Sequence, residues 1–340
     1  MCRFRLKRPS QPTSILALAL ALGIWLLSLG TAAVHAAPAA LQEVPPPGAA
    51  QQLALALAQR QPNLELISPK DDSLLPDGSW NLTLELRDWP LGESQELGPG
   101  AHLVVQVDDQ APLRIFEKPI NSERLVIAMP PLTPGSHRFL AYAALPWGEA
   151  VNSKQARLEW RLHRAAANPG SLPDRDAPQL VAVPAPQLAA AAPIPINWLL
   201  LNAPLQHLKA NDERWRLRLS LDGQSVVLDR REALWLENPG SGSHVLQLEL
   251  LDPLGQPLGA PFNSLVRELV VPQRSAGTPG MLRPSLTAAE LAALLDPSQA
   301  KAAEAPEPEP EPQPLPEPEP EPEPALEPEP VIESTGAASS

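Results

Sequence analysis

The sequence predicts a mainly β protein: two antiparallel β-sandwich domains in tandem, with a short C-terminal helix and disordered Pro-rich segments. Three observations carry this. Apolar and polar residues alternate with a period of two in several short runs. Turn-forming clusters fall between those runs, at PDGS, GPG, TPGS, ENPGSGS and DPLG. A set of landmarks also occurs twice in the same order. Period-two alternation bounded by Gly, Pro and Asp is the pattern of half-buried strands joined by tight turns.

The elements follow along the chain. Residues 1–36 read as a signal peptide. Arg3, Arg5, Lys7 and Arg8 form a basic head, Ile15 to Leu29 an apolar core, and Val34-His35-Ala36 a small-residue exit suited to cleavage after Ala36. The competing reading is an uncleaved membrane anchor, since Ile15 to Val34 is about as long as a bilayer span. The one cysteine, Cys2, lies in this segment. The mature chain would therefore have no disulfide, no thiol nucleophile and no cysteine-ligated metal. Residues 37–61 read as a disordered Ala/Pro linker. QQLALALAQ within them has a short helical look, but Pro45-Pro46-Pro47 precedes it and Pro62 follows.

Residues 62–164 form the first expected sandwich. Trp80, Leu82, Leu84 and Leu86 share one strand face, while Asn81, Thr83, Glu85 and Arg87 share the other. Residues 165–195 read as a second Ala/Pro linker, and 196–274 as a second, shorter sandwich. There Trp215, Leu217, Leu219 and Leu221 oppose Arg214, Arg216, Arg218 and Ser220. In SLTAAELAALLDP, Thr287 and Glu290 have the spacing of a capping box, which predicts a short helix over 285–296. Its expected place is against the second sandwich; otherwise it is a docking helix for a partner.

Residues 301–340 are a Glu-Pro tail. It holds eleven glutamates and one lysine. Taking its −10 and the +4 of the basic head from the chain's −13 leaves −7 for residues 37–300. Proline forbids a helix and nothing apolar is available to bury, so disorder is expected. Glu-Pro runs resemble the periplasm-spanning segment of TonB-type energy-coupling proteins; the likeness is one of spacer composition. An acidic body with an acidic tail argues against nucleic acid as a partner.

The repeat is specific in its spacing. Trp80 stands eleven positions after Pro69, and Trp215 eleven after Pro204. VDDQ at 107–110 answers LDGQ at 221–224. GSHRFLAYAALPWG answers GSHVLQLELLDPLG, and each copy closes on a strand near 23 residues past its histidine. The start S-P-x-D-D near Ser68, the V-D-D strand and P-G-S-H-x-F resemble the Ig-like modules of bacterial exported proteins, well over 65–163 and loosely over 198–273. That resemblance implies an Ig-like sandwich fold and no reaction.

Candidate sites are few. His137 and His244 hold equivalent places after a Gly-Ser turn, and duplication with the turn points to a structural role. His244 shares parity with Leu246, Leu248 and Leu250, so its ring is expected at the core rim with a backbone carbonyl as partner. His102, His163 and His207 show no zinc spacing. Asp71, Asp72, Asp77, Asp108 and Asp109 are candidates for a calcium cluster, against the plainer reading that aspartate suits turns. Trp89 and Trp147 sit beside turns; core or rim packing is the favoured reading, and they are the first residues to suspect should the chain contact a sugar or a peptide. No nucleophile elbow, zinc-protease motif, P-loop or dinucleotide fingerprint is present.

The expectation is an exported, non-catalytic binding or scaffold protein of the periplasm or cell surface. It needs no catalytic residue, cofactor or metal, and its partner is an envelope protein or glycan. The alternatives are an accessory carbohydrate-binding or cell-wall module and, third, a metal-dependent hydrolase.

Overall fold

The computed structural model describes residues 41–295, apart from 118, 120, 121, 182, 185, 204, 206–214, 229, 259–262 and 276. The signal segment, the cleavage site, His207 and the acidic tail lie outside the described residues.

Strands dominate. In the first lobe they are β1 (Asn63–Ser68), β2 (Ser73–Leu75), β3 (Trp80–Arg87), β4 (Glu93–Ser94), β5 (Gly98–Pro99), β6 (His102–Val107), β7 (Leu113–Ile115), β8 (Arg124–Met129), β9 (Gly135–Ala144) and β10 (Arg157–Arg164). A three-stranded sheet, β1-β3-β8, faces a five-stranded sheet, β2-β10-β9-β6-β7. The alternation seen in the sequence sets which side of each sheet is inside. Trp80, Leu82, Leu84 and Leu86 are buried and pack with Leu103, Val105, Phe139, Ala141, Trp160 and Leu162 in one core. Phe139 is its hub, edge-on to Trp80 at 5.7 Å and stacked on Trp160 at 5.3 Å. Such ring pairs add about 1 kcal/mol each beyond their buried area. One pairing departs from the expected antiparallel order: β2 runs parallel to β10.

The second lobe contains β11 (Gln179–Val181), β12 (Ile194–Ile196), β13 (Leu199–Leu201), β14 (Arg216–Leu221), β15 (Gln224–Leu228), β16 (Leu234–Leu236), β17 (Gly242–Leu251) and β18 (Ser264–Val271). Its one large sheet is β15-β14-β17-β18. The opposite wall consists of two ribbons, β11-β13 and β12-β16. Leu217, Leu219, Leu221, Leu246, Leu248 and Leu250 from the sheet pack with Leu180, Ile194, Ile196 and Leu200 from the ribbons. The shortness of this copy thus appears as a broken second sheet.

Both expected linkers prove to be structured. Within 165–195, β11 pairs with β13, and Val181 and Val183 are buried. Within 37–61, Glu43 bridges to Leu236, Val44 N–H donates to Trp235 O at 2.9 Å, and Glu237 N–H donates to Gln42 O at 2.8 Å. A helix, α1 (Gly48–Leu57), follows and buries Ala49, Ala50, Leu53 and Leu57. Ten residues form a marginal helix in isolation; tertiary contacts make the difference. The Gln52 amide donates to Leu286 O at 3.3 Å and accepts from Leu286 N–H at 2.7 Å. At Gly48 a Cβ would come within 2.0 Å of Pro284 O, so only glycine admits this approach. Pro47 precedes the first turn, where a proline interrupts no helical hydrogen bond.

The C-terminal helix, α2 (Ala288–Leu295), starts as its sequence foretells. Thr287 N–H donates to Glu290 Oε2 at 2.8 Å, and Glu290 N–H donates to Thr287 Oγ1 at 3.2 Å. Its expected place against the second sandwich is corrected. The helix lies beside β4, and Leu294 joins Leu97 and Trp147 in a third apolar cluster.

The described residues all lie in one compact unit. The two lobes merge because the β11-β13 ribbon has two working faces. Leu180 and Leu200 enter the second core. Val181, Leu199 and Leu201 point the other way, onto Val104, Leu140, Tyr142 and Ala144 of the five-stranded sheet. Strand β6 is accordingly buried on both faces, as is β9 from Ser136 onward.

Candidate functional site

The two histidines flagged by the repeat make the same construction twice. In the first lobe, Asp108 follows β6 and takes a left-handed backbone, φ 49°, which aspartate tolerates better than most residues. That conformation turns its carboxylate back over the end of β9. Asp108 Oδ2 lies 2.7 Å from His137 Nδ1, and Oδ1 accepts Arg138 N–H at 2.8 Å. His137 Nε2 lies 2.8 Å from Thr133 O. In the second lobe, Asp222 has the same φ of 49°. Asp222 Oδ2 lies 2.7 Å from His244 Nδ1, Oδ1 accepts Val245 N–H at 2.9 Å, and His244 Nε2 lies 3.0 Å from Gly240 O.

Each clasp therefore ties the start of one long strand, the loop before it and the turn after a neighbouring strand. Both ring nitrogens and both carboxylate oxygens are engaged. The carbonyl partner anticipated for His244 is present, but its ring is shared with an aspartate that the sequence reading placed only in a repeat landmark. The sequence alone sets Asp108 among turn aspartates and calcium candidates. The signal for its true role was available: VDDQ and LDGQ each precede GSH, with aspartate and histidine 29 residues apart in the first copy and 22 in the second. The copies differ in depth. The first is the deeper by a modest margin: the side chains of His137 and Asp108 are 8% and 31% exposed, those of His244 and Asp222 13% and 42%.

The remaining acids of the proposed calcium group bind cations of the protein itself. Asp71 and Asp72 pair with Arg175 at 3.0 and 2.9 Å. Asp77 pairs with Arg164 at 2.9 Å, and Asp109 lies 3.9 Å from Arg138. Among the described residues no three His, Cys, Asp or Glu side chains are grouped as metal ligands. His163 Nδ1 lies 2.8 Å from Ser136 Oγ. His102 is 1% exposed, with Nδ1 3.0 Å from Gly100 O. Burial drives its pKa down to about 4.

Trp89 and Trp147 are not surface platforms. Trp89 is 2% exposed and its Nε1–H donates to His102 O at 3.3 Å. Trp147 is 5% exposed, donates to Glu149 Oε2 at 2.6 Å, and meets Trp235 of the second lobe edge-on at 5.9 Å. An indole covered on both faces leaves nothing for a sugar ring to stack on, so ligand contact through these two residues is corrected to core packing. The turns beside them are themselves covered: Gly148, next to Trp147, packs by Asn197, whose side-chain amide donates to Trp147 O at 2.5 Å.

Trp147 marks the feature the sequence reading missed, a seam joining the lobes. Glu149 crosses it, accepting Ala233 N–H at 3.1 Å. Burial raises the Glu149 pKa above the usual carboxylate range despite these two hydrogen bonds. Arg138 spans it too, donating to Gln179 on β11. Tyr142 is buried within it, which pushes its hydroxyl pKa up. One signal for the seam was legible: from Phe139 to Ala144 both parities are apolar, the mark of a strand covered on both sides.

No known protein family matches the sequence, and no characterised protein matches it. Solved structures show distant similarity. The fibronectin(III)-like modules of Clostridium thermocellum CbhA match at 11% identity and TM-score 0.21, over 62% of this chain and 94% of that one. Dimeric latent PorU from Porphyromonas gingivalis matches at 11% and 0.23, over 64% and 21%. The FN1–FN3 domains of chicken CNTN1 match at 12% and 0.17, over 63% and 68%. At such scores the likeness adds nothing to what the strands already show, a mainly β chain with sandwich packing. No helix among the described residues is long and apolar enough to cross a membrane.

Proposed function

We propose that this chain is an exported, non-catalytic binding or scaffold protein of the periplasm or cell surface. The observation that carries the reading is the seam. Two lobes fused by the β11-β13 ribbon and by Trp147 against Trp235 present a single rigid surface. The groups best suited to chemistry, the clasp histidines and the loop aspartates, are engaged in holding that surface together. Rigid surfaces bind with less ordering cost than flexible ones. Export is inferred from the basic head, apolar core and small-residue exit of residues 1–36. The Glu-Pro tail would act as an extended spacer or a recruiting segment.

The test is a pull-down from the source organism's envelope extract with the chain from Ala37 to Ser340, beside a second bait ending at Ala300. Enrichment of one or a few proteins is the expected result, and their loss with the shorter bait would assign the contact to the tail. Recovery of glycan without protein would overturn the reading. N-terminal sequencing of the exported chain tests cleavage after Ala36.

A further inference from the structure

At one end of the seam the lobes part to leave a cleft. Glu149 and Arg157 line it from the first lobe; Trp198, Arg231 and Glu232 line it from the second. Its two guanidinium groups stand out. Neither Arg157 nor Arg231 forms a close ion pair among the described residues; Glu159 attracts Arg157 only at longer range. Arg157 is half-buried. That burial, and next the positive charge of Arg231, hold it below the usual arginine range.

The cleft's own carboxylates are held by other donors. Glu149 is engaged by Trp147 Nε1–H and Ala233 N–H, and Glu232 Oε2 accepts the backbone N–H of Arg231 at 3.2 Å. Two neighbouring guanidiniums without a close ion pair, against an indole wall, form an acceptor for a planar anion, because each fork matches a carboxylate in two-point geometry. Size narrows the choice. The enclosed part of the cleft is about 30 Å³, room for one or two water molecules and so for a carboxylate head.

We propose that the inter-lobe cleft binds a carboxylate group of a partner peptide, held by Arg157 and Arg231 beside Trp198. This rests on the reading of the chain as a binding protein and names the chemistry its partner offers. The carboxylate has two sources, a chain terminus or an acidic side chain.

The test is an NMR titration of the purified full chain, following the indole resonance of Trp198 assigned with Trp198→Phe. Three probes are used: acetyl-Ala-Ala-Ala with a free C-terminus, the same peptide amidated, and acetyl-Ala-Glu-Ala amide. The Trp198 signal is expected to move saturably with the first or third probe and to stay fixed with the second. A response to the first alone identifies a terminus, and to the third alone a side chain. Arg157→Gln and Arg231→Gln should each weaken the response by about tenfold, with the other indole signals unchanged as evidence of an intact fold. Silence toward both carboxylate probes, an equal response to the amide, or unaltered binding in both arginine variants overturns the proposal. A failed pull-down would instead strike at the binding-protein reading and leave this titration to stand or fall by itself.

Discussion

His137 Nδ1 and Asp108 Oδ2 lie 2.7 Å apart, and His244 Nδ1 and Asp222 Oδ2 repeat the distance in the second lobe. The same pair therefore closes the same turn twice, with the first copy set somewhat deeper than the second. That contrast predicts unequal costs. Asp108→Ala leaves the buried His137 Nδ1 and the Arg138 N–H without their acceptor and should cost about 2–3 kcal/mol. Asp222→Ala frees groups that water can reach and should cost about 1 kcal/mol or less. Urea unfolding of the two variants measures both, and equal losses would refute a role set by depth.

Acid should act on the two lobes in opposite senses. The Asp222 hydrogen bond raises the pKa of His244 above 6.5. For Asp222, partial burial opposes ionisation, but the His244 and Val245 hydrogen bonds outweigh it and hold the pKa below 3.8. The His244 contribution is thus complete below about pH 6.5 and fades as pH rises through its raised value. The Asp222 contribution is lost only as pH falls through its lowered value. The second clasp is strongest between these limits. His102 behaves in reverse. Its folded pKa of about 4 lies below the ordinary 6.5, so the unfolded chain takes up the proton first. Stability should fall by about 3 kcal/mol from this residue as pH drops from above 6.5 to below 4. Unfolding free energies of the native chain and His102→Gln across pH 4 to 7 should converge towards the acid end.

The tryptophans beside turns should behave as core residues. Trp89→Ala and Trp147→Ala are each expected to cost about 3–5 kcal/mol. Denaturant midpoints provide the measurement. Variants as stable as the native chain would return these indoles to the surface.

The segment before the first lobe should be integral to the fold. Leu53→Ala removes a buried side chain of α1 and should cost about 2–5 kcal/mol. A chain beginning at Gln61 would uncover the cluster of Trp147, Trp235, Met281 and Leu282 and leave β16 without its Glu43 bridge. It should melt lower than the full chain and bind a hydrophobic dye. A linker would have neither effect.

The strand interiors were legible because their rule is local. Leu82, Leu84 and Leu86 are buried while Asn81 and Arg87 are exposed, as a period of two requires. The capping box of Thr287 and Glu290 was legible for the same reason, since both partners lie within one helical turn. The clasp histidines were legible as structural residues only because the chain contains the motif twice. No local rule pairs Asp108 with His137, which lies 29 residues away; only the recurrence of VDDQ and LDGQ before GSH points to the pair.

By itself the sequence determined the strand faces, the turns, the repeat and the start of the last helix, all set by sterics and hydrogen bonding among near neighbours. Only the tertiary structure decided that the Ala/Pro stretches are built into the fold. Alanine favours a helix and proline interrupts one, so together they specify no regular element, and what orders them here is the apolar surface against which they close. The same holds for Trp89 and Trp147. An indole beside a turn is exposed or buried according to what lies across from it, and for Trp147 that is Trp235, 88 positions along the chain and in the other lobe.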